Sequence, residues 1–353
     1  VFKEILMKPI RLGIIGCGGM EKAHESGLAG LGDQVRITAV CDVVEERAKM
    51  AKELLKADLA VTDYRDLLPA VDAVLIVLPH HLHHPVGRDC LLAGKHVLME
   101  KPLAITEAEC LDLIHLADRN KLTLMVGYVQ RYNPLVLKAK EMMEAGVAGT
   151  PFQVSIWTEQ FTKFSDDKSW GHKIATLGGG QFFSHGCHYV DLLLWFMGKP
   201  LRGFHLGTNF GTPWMEKEGT SNVVFQFDSG ATAYHFGTWG AKGSRLRYSI
   251  HIHGTEGMID ARLHEGKVYL NRFKEGEQLV FEAGTAKHTE PQMAHFLDCI
   301  RTGRRPLTDG PGSLQSLRVI WRLYEAEERN VAADLRGLGL DEPWDKPGLD
   351  RLP

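Results

Sequence analysis

No apolar run among the 353 residues approaches the length of a membrane span, so a membrane partner is not expected. An excess of one charge is missing too. The 41 Lys and Arg against 44 Asp and Glu leave a formal net charge of -3, which gives nucleic acid no reason to bind. The six cysteines, Cys17, Cys41, Cys90, Cys110, Cys187 and Cys299, form no C-x-x-C pair and no framework spacing. Packed, reduced thiols are therefore expected, in a cytoplasmic protein. Repeats and low-complexity tracts are absent as well. The first nine residues lack the apolar stretch of a signal peptide and read as a leader, with the native start expected at Met7. What is present, 44% hydrophobic and 24% charged residues over this length, suits a globular chain of two domains.

Short apolar runs at 12–15, 35–41, 59–61, 73–78, 96–99 and 123–127 alternate with helix-like stretches at 44–55, 85–93 and 107–119. The runs are continuous rather than alternating, as in strands of a parallel sheet covered on both faces. This rhythm predicts a doubly wound α/β domain of Rossmann type over residues 8–128. From 129 to 353 the pattern changes to α+β. A helix at 134–144 precedes strand-like segments at 152–158, 221–227, 231–239, 245–253 and 267–272, with turns at 228–230 and 254–257, which predicts a mostly antiparallel sheet. Helices are expected at 183–197, 291–302 and 313–329, and an extended arm at 342–353.

The first strand runs into Gly13-Ile14-Ile15-Gly16-Cys17-Gly18-Gly19-Met20-Glu21. Gly16 and Gly18 fill the first two positions of G-x-G-x-x-G, where one glycine permits the tight turn and the next lets a pyrophosphate reach the backbone at a helix N-terminus. Glu21 occupies the third position, a departure that Gly19 partly offsets, and Met20 completes the cofactor-facing turn. Asp42 ends the second strand, where an acidic residue hydrogen-bonds the adenosine ribose. Its charge repels a 2′-phosphate and no Arg follows it immediately, so NAD is favoured over NADP. The other reading of Asp42 is a cap for the helix beginning near Val44.

Two further segments carry a resemblance. Ala73-Val74-Leu75-Ile76-Val77-Leu78-Pro79-His80-His81-Leu82-His83 leads to Ala93-Gly94-Lys95-His96-Val97-Leu98-Met99-Glu100-Lys101-Pro102-Leu103, and a later Gly-rich element ends in Ser184, His188 and Asp191. In order and spacing these resemble the oxidoreductase family that includes glucose–fructose oxidoreductase and inositol dehydrogenase (Gfo/Idh/MocA). The resemblance implies a Rossmann domain followed by an open-sheet domain that binds substrate and forms a homodimer or homotetramer. It also implies that Pro79, His80 and His83 line the cofactor and that Glu100 lies near the nicotinamide ribose. The Lys101–Pro102 peptide is a candidate for the cis form, an isomer available mainly before proline. Beside the resemblance, Lys101 sits at the C-terminal end of a parallel strand, where open α/β sheets bind ligands, and its ammonium suits a substrate hydroxyl. The alternative is a surface lysine. Four histidines at 80, 81, 83 and 84 hint at a metal, but one tight turn cannot aim all four at one ion, and no metal is expected.

In the segment 178–191, Ser184, His188 and Asp191 share a helical face and His185 lies one turn before His188. The resemblance assigns His188 as general acid/base with Lys101, a role that an imidazole suits because it titrates near neutral pH. At Ser184 many relatives carry Asp, so here the histidine lacks that charge, while His185 adds a polar group. A structural His188, or a metal held by His185, His188 and Asp191, are the competing readings. Trp170 and His172 read as substrate contacts, with core packing as the alternative for Trp170. Gln130 matches a cofactor-contacting segment and Arg131 a substrate-contacting one, with an inter-domain ion pair as the other reading of Arg131.

The function expected is NAD-dependent hydride transfer to or from a carbinol carbon of a sugar, polyol or sugar derivative. The alternative is a redox-neutral glycosidase or lyase that recycles NAD through a transient keto-sugar. A cofactor-sensing regulator is a third reading, which has no need of both Lys101 and His188.

Overall fold

A computed structural model describes residues 8–164 and 169–338; the expected start at Met7 and the arm at 342–353 lie outside the described residues. Within the described residues the chain forms two compact units. The first comprises the chain to Gly127 together with His288–Pro311, and the second comprises Tyr128–Lys287 and the chain from Gly312 onward.

In the first unit the order is β1 (Ile10–Ile15), α1 (Glu21–Ala29), β2 (Val35–Cys41), α2 (Glu45–Leu55), β3 (Leu59–Val61), β4 (Ala73–Ile76), α3 (His83–Leu92), β5 (His96–Met99), α4 (Glu107–Asn120) and β6 (Leu124–Val126). The six strands are parallel, in the order β3-β2-β1-β4-β5-β6, so the chain reverses direction across the sheet between β1 and β4. Ligands bind such sheets at the carboxyl ends of the strands beside that switch point. β4 is wholly buried, which is why its sequence is an unbroken apolar run. α4 starts on a capping box in which Thr106 and Glu109 satisfy each other's backbone N–H groups.

The second unit contains α5 (Pro134–Glu144), β7 (Pro151–Glu159), α6 (Ile174–Leu177), α7 (Cys187–Met197), β8 (Pro200–Thr208), β9 (Thr220–Phe227), β10 (Thr232–Thr238), β11 (Tyr248–Gly254), β12 (Gly257–Arg262), β13 (Lys267–Arg272) and β14 (Gly276–Glu282). After α8 (Thr289–Thr302) come α9 (Gly310–Glu328) and β15 (Ala333–Asp334). Nine strands form one sheet in the order β14-β13-β12-β11-β7-β10-β9-β8-β15, antiparallel except for the β7–β10 pair. In β8, Gly203 and His205 point inward while Phe204 and Leu206 are exposed, and Val224 of β9 is exposed beside them. One face of this sheet therefore carries apolar side chains in the open.

Four strands depart from the sequence expectation, among them β15, only two residues long. β8 is punctuated by Gly203 and Gly207, β12 follows directly on the turn at 255–256, and β14 is almost entirely exposed and so has no inward apolar pattern to read. The helix expected at 291–302 is present as α8, and it packs in the first unit against α1. Gly27 makes that approach possible, since a Cβ there would lie 2.5 Å from Thr289 Oγ1. The Thr289 hydroxyl donates to Ala23 O at 2.9 Å, and Val126 N donates to Thr308 O at 2.7 Å.

Candidate functional site

The turn after β1 is shaped by one obligatory glycine and two permissive ones. Gly16 has φ +100°, and a Cβ on it would sit 2.1 Å from Val77 O, so only glycine lets β1 pass this close to the end of β4. At Gly18 and Gly19 an added Cβ would meet nothing within 4 Å, which leaves the turn's outer side clear. α1 then begins at Glu21, and its N-cap residue Met20 supplies no side-chain cap. The Asp42 carboxylate accepts from Cys17 N at 3.0 Å and from Val44 N at 2.9 Å, so it ties the turn to the start of α2. Both readings of Asp42 are thus compatible: each oxygen keeps a second acceptor direction for a ribose hydroxyl. A glycine turn open on one side, a helix N-terminus and a carboxylate beside them fit a dinucleotide's pyrophosphate and ribose.

At the ends of β4 and β5 the four histidines go separate ways. His84 pairs with Asp112 at 2.8 Å, while His80 and His83 are buried with ring centroids 5.6 Å apart. His83 Nδ1 lies 2.7 Å from Pro102 O and its Nε2 lies 2.9 Å from Leu78 O. The Lys101–Pro102 peptide is cis. Glu100 is buried; its Oε1 is 2.8 Å from His24 Nε2 and its Oε2 accepts from Lys101 N at 3.2 Å. His24 escaped the sequence reading, because a lone histidine on the buried side of α1 looks like any other core position. Lys101 follows Glu100 at the carboxyl end of β5, half-buried.

In the second unit the helix carrying the other candidates does not begin as an α-helix. Phe182–Gly186 is a single π-helical stretch that runs into α7, a feature frequent at functional sites. Its leading N–H groups are all taken. Gly180 N and Phe183 N donate to Tyr324 Oη at 3.2 and 3.3 Å, Phe182 N donates to Glu218 Oε1 at 3.0 Å, and Gln181 N donates to Glu218 O at 2.7 Å. Tyr324 in turn donates to Glu218 Oε1 at 2.7 Å. Burial pushes the Glu218 carboxyl up from its ordinary range, against the pull of Tyr324 and His205. Neither Glu218 nor Tyr324 stands near this segment in sequence, so no local signal marked them.

Ser184 and His188 are buried on this helix, and the His188 ring packs edge-on to Tyr128 with centroids 5.7 Å apart. His185 lies edge-on to both Tyr189 and Tyr248, with Gln181 Nε2 3.4 Å from its Nδ1. Asp191 accepts a two-pronged bond from Arg131, Nε to Oδ2 at 2.7 Å and Nη2 to Oδ1 at 3.0 Å. The Arg131 guanidinium also stacks over Trp195, with its carbon 4.4 Å from the ring centre. Arg131 therefore makes an ion pair within one unit and braces α7. Gln130 Oε1 accepts from Asn133 Nδ2 at 3.3 Å. Trp170 and Phe164 pack on a cluster of Leu177, Met215 and Trp239, and His172 is buried with its ring edge-on to Phe164. Among the described residues no group of three or more His, Cys, Asp or Glu could hold a metal ion, and no helix is long and apolar enough to cross a membrane. All six cysteines are buried and unbridged.

Comparison with known proteins agrees with this architecture. Residues 10–128 match the oxidoreductase family with an NAD-binding Rossmann fold, and residues 136–260 match the GFO/IDH/MocA C-terminal domain. The chain is 34% identical to an inositol 2-dehydrogenase of Saccharopolyspora erythraea over 41% of its own length and 44% of that protein's, so the match spans less than half of that relative. It is 24% identical to the scyllo-inositol 2-dehydrogenase (NAD(+)) of Bacillus subtilis, over 84% of this chain and 88% of that one. Levoglucosan dehydrogenase, solved in complex with NADH, shares the fold with a TM-score of 0.85 at 20% identity, over 93% of this chain and 99% of that one. With both of its characteristic halves matched in order, this chain belongs to the Gfo/Idh/MocA oxidoreductases and carries their NAD-binding Rossmann domain.

Proposed function

We propose that this protein is an NAD-dependent dehydrogenase or reductase acting on a carbinol carbon of a sugar, a polyol or a sugar derivative. The observation that carries this reading is Lys101, which directly follows buried Glu100 at the carboxyl end of β5, in the sheet that also presents the open glycine turn. A bound nicotinamide supplies uptake or return of hydride at the carbinol carbon. The protein's own part concerns the hydroxyl. The Lys101 Nζ ammonium donates to the substrate oxygen and favours the charge that develops there, and the His188 imidazole takes up or returns the proton. Ser184, His185, Trp170 and His172 are proposed as substrate contacts and Gln130 as a cofactor contact. For Arg131 the engagement with Asp191 supports a bracing role instead.

Asp42 supports NAD over NADP, since Val43 and Val44 follow it and no cation is there to neutralise a 2′-phosphate. The inositol dehydrogenases and levoglucosan dehydrogenase among the relatives support the sugar or polyol class. Exposed Phe204, Leu206 and Val224 support pairing of copies through the second sheet, as a homodimer or homotetramer. Buried, unbridged cysteines are in keeping with a cytoplasmic setting. The test is a panel of sugars, inositols and glycosides with NAD, followed by NADH absorbance and by product in parallel. NADH formed in step with product supports the reading. Many turnovers without net NADH would assign the protein to redox-neutral cleavage instead.

A further inference from the structure

His83 does something that a cofactor-lining histidine need not do. The ring is fully enclosed, and both of its nitrogens face main-chain carbonyls: Leu78 O just beyond β4, and Pro102 O on the residue after Lys101. A carbonyl can only accept. A neutral imidazole can therefore satisfy one of the two, and only an imidazolium satisfies both. The groups around the ring are His80, Glu100 and Lys101. Burial dominates and holds the imidazole below its ordinary range, with Lys101 adding to the effect; the two carbonyls and Glu100 oppose it. Burial thus favours the neutral ring, which can serve only one of the two carbonyls, and the contact to Pro102 O is the shorter, 2.7 Å against 2.9 Å.

We propose that His83 is a positioning residue for Lys101: its Nδ1–H, donated to Pro102 O, holds the Glu100-Lys101-Pro102 segment against the end of β4. The inference deepens the proposed function, because it concerns how the proton-handling lysine is set, and it rests on that reading for its bearing on turnover. On the other side of Lys101, His24 holds Glu100 at 2.8 Å, so the segment is gripped by a buried imidazole both before and after the lysine. Displacing a reacting group by as little as about 1 Å can cost on the order of a hundredfold in rate, which is the scale on which such a grip matters.

The two carbonyls allow a test by paired substitution. An Asn side-chain amide falls near the place of Nδ1 and a Gln amide near the place of Nε2. His83→Asn therefore keeps a donor for Pro102, and His83→Gln keeps one for Leu78. Three readouts apply to each full-length variant: thermal midpoint, the rate at which trace acetic anhydride labels the Lys101 amine in the absence of substrate, and kcat against KM once a substrate is in hand. The expected result is that H83N labels Lys101 at close to the native rate, whereas H83Q raises that rate by about fivefold, the equivalent of one lost hydrogen bond. H83Q is also expected to lower kcat more than it raises KM. Equal labelling of Lys101 in both variants, with only the thermal midpoint lowered, would reduce His83 to a core residue and overturn the proposal. The reverse order, with H83N the disturbed variant, would overturn it as well.

Should either variant fail to fold, nitrogen-15 imidazole shifts of the native protein at neutral pH decide the matter. Nδ1 protonated and Nε2 bare supports the proposal, and the opposite tautomer refutes it. Because labelling and shifts need no substrate, a Lys101 that obeys these expectations in a protein lacking dehydrogenase activity would refute the proposed function and leave the role of His83 standing.

Discussion

The two helix starts that carry proposed site residues differ in how their leading N–H groups are met. At α1 the N-cap residue Met20 supplies no side-chain cap, and Gly18 and Gly19 keep the approach open. At 180–183 every leading N–H is taken by Glu218 or Tyr324. The first is proposed as a binding end for an anion. The second is proposed as a positioning end, its leading N–H groups met by the protein itself ahead of Ser184, His185 and His188. Substitutions at the first should therefore appear in cofactor affinity, and those at the second in stability and turnover.

The largest effect sharpens that division from within the first unit. Lys101→Ala is expected to lower turnover by about 10²–10⁴-fold while leaving NADH binding nearly native, measured by steady-state rates and by NADH fluorescence titration. Loss of NADH binding in this variant would mean that the lysine belongs to the binding end after all.

Next comes the brace of α7. Removing the cation with Arg131→Met leaves Asp191 buried and unpaired, for which a cost of about 3–5 kcal/mol is expected in denaturant unfolding. Any enzyme that stays folded should keep its NADH affinity. A smaller loss, within about 0.5 kcal/mol as at an ordinary surface site, would show that the pair holds nothing in place.

The glycine turn supplies a contrast at smaller scale. Gly16→Ala places a Cβ against Val77 O at positive φ, with an expected loss of about 1–3 kcal/mol in the cofactor-free protein. Gly18→Ala meets nothing and should leave apo stability within about 0.5 kcal/mol, yet weaken NADH binding by obstructing the approach. Calorimetry of each variant with and without NADH separates the two. If Gly18→Ala bound NADH as tightly as the native protein, the open side of the turn would not be where the pyrophosphate sits.

The subtlest expectation concerns Glu218. Its carboxyl is raised by burial in the folded state, so between the ordinary carboxylate pKa and that raised value the folded protein binds the extra proton. Stability attributable to Glu218 is thus full at low pH and declines as pH rises through the raised value. Glu218→Gln removes that decline. The thermal midpoint of the variant should gain on the native protein as pH is raised from about 4 toward neutrality, the window opening at the ordinary glutamate value. A difference between the two that stays constant with pH would contradict a titrating Glu218.

How far the sequence foretold all this follows the same division. The strand-turn-helix of the proposed binding end was legible because its parts are consecutive: a strand, Gly16, Gly18 and a helix, then Asp42 after the next strand. Glu100, Lys101 and Pro102 are likewise contiguous, and the covered parallel sheet writes its strands as plain apolar runs. The positioning end was legible only in its helix. Glu218 and Tyr324 reach it from 36 and 141 residues away, and Asp191 finds Arg131 from 60. Partnerships of that kind leave no periodic trace. The π-helical stretch at Phe182–Gly186 likewise has no signature in the sequence pattern. β14, nearly all exposed, offered no pattern at all.

The proposed activity requires hydride to leave or reach a carbinol carbon with net change in the cofactor. The most direct test is the ratio of NADH formed to product released, measured over many turnovers on the first sugar or polyol that the protein accepts. The account predicts one NADH for each product molecule. Product accumulating with no NADH, cofactor remaining as NAD throughout, would contradict it.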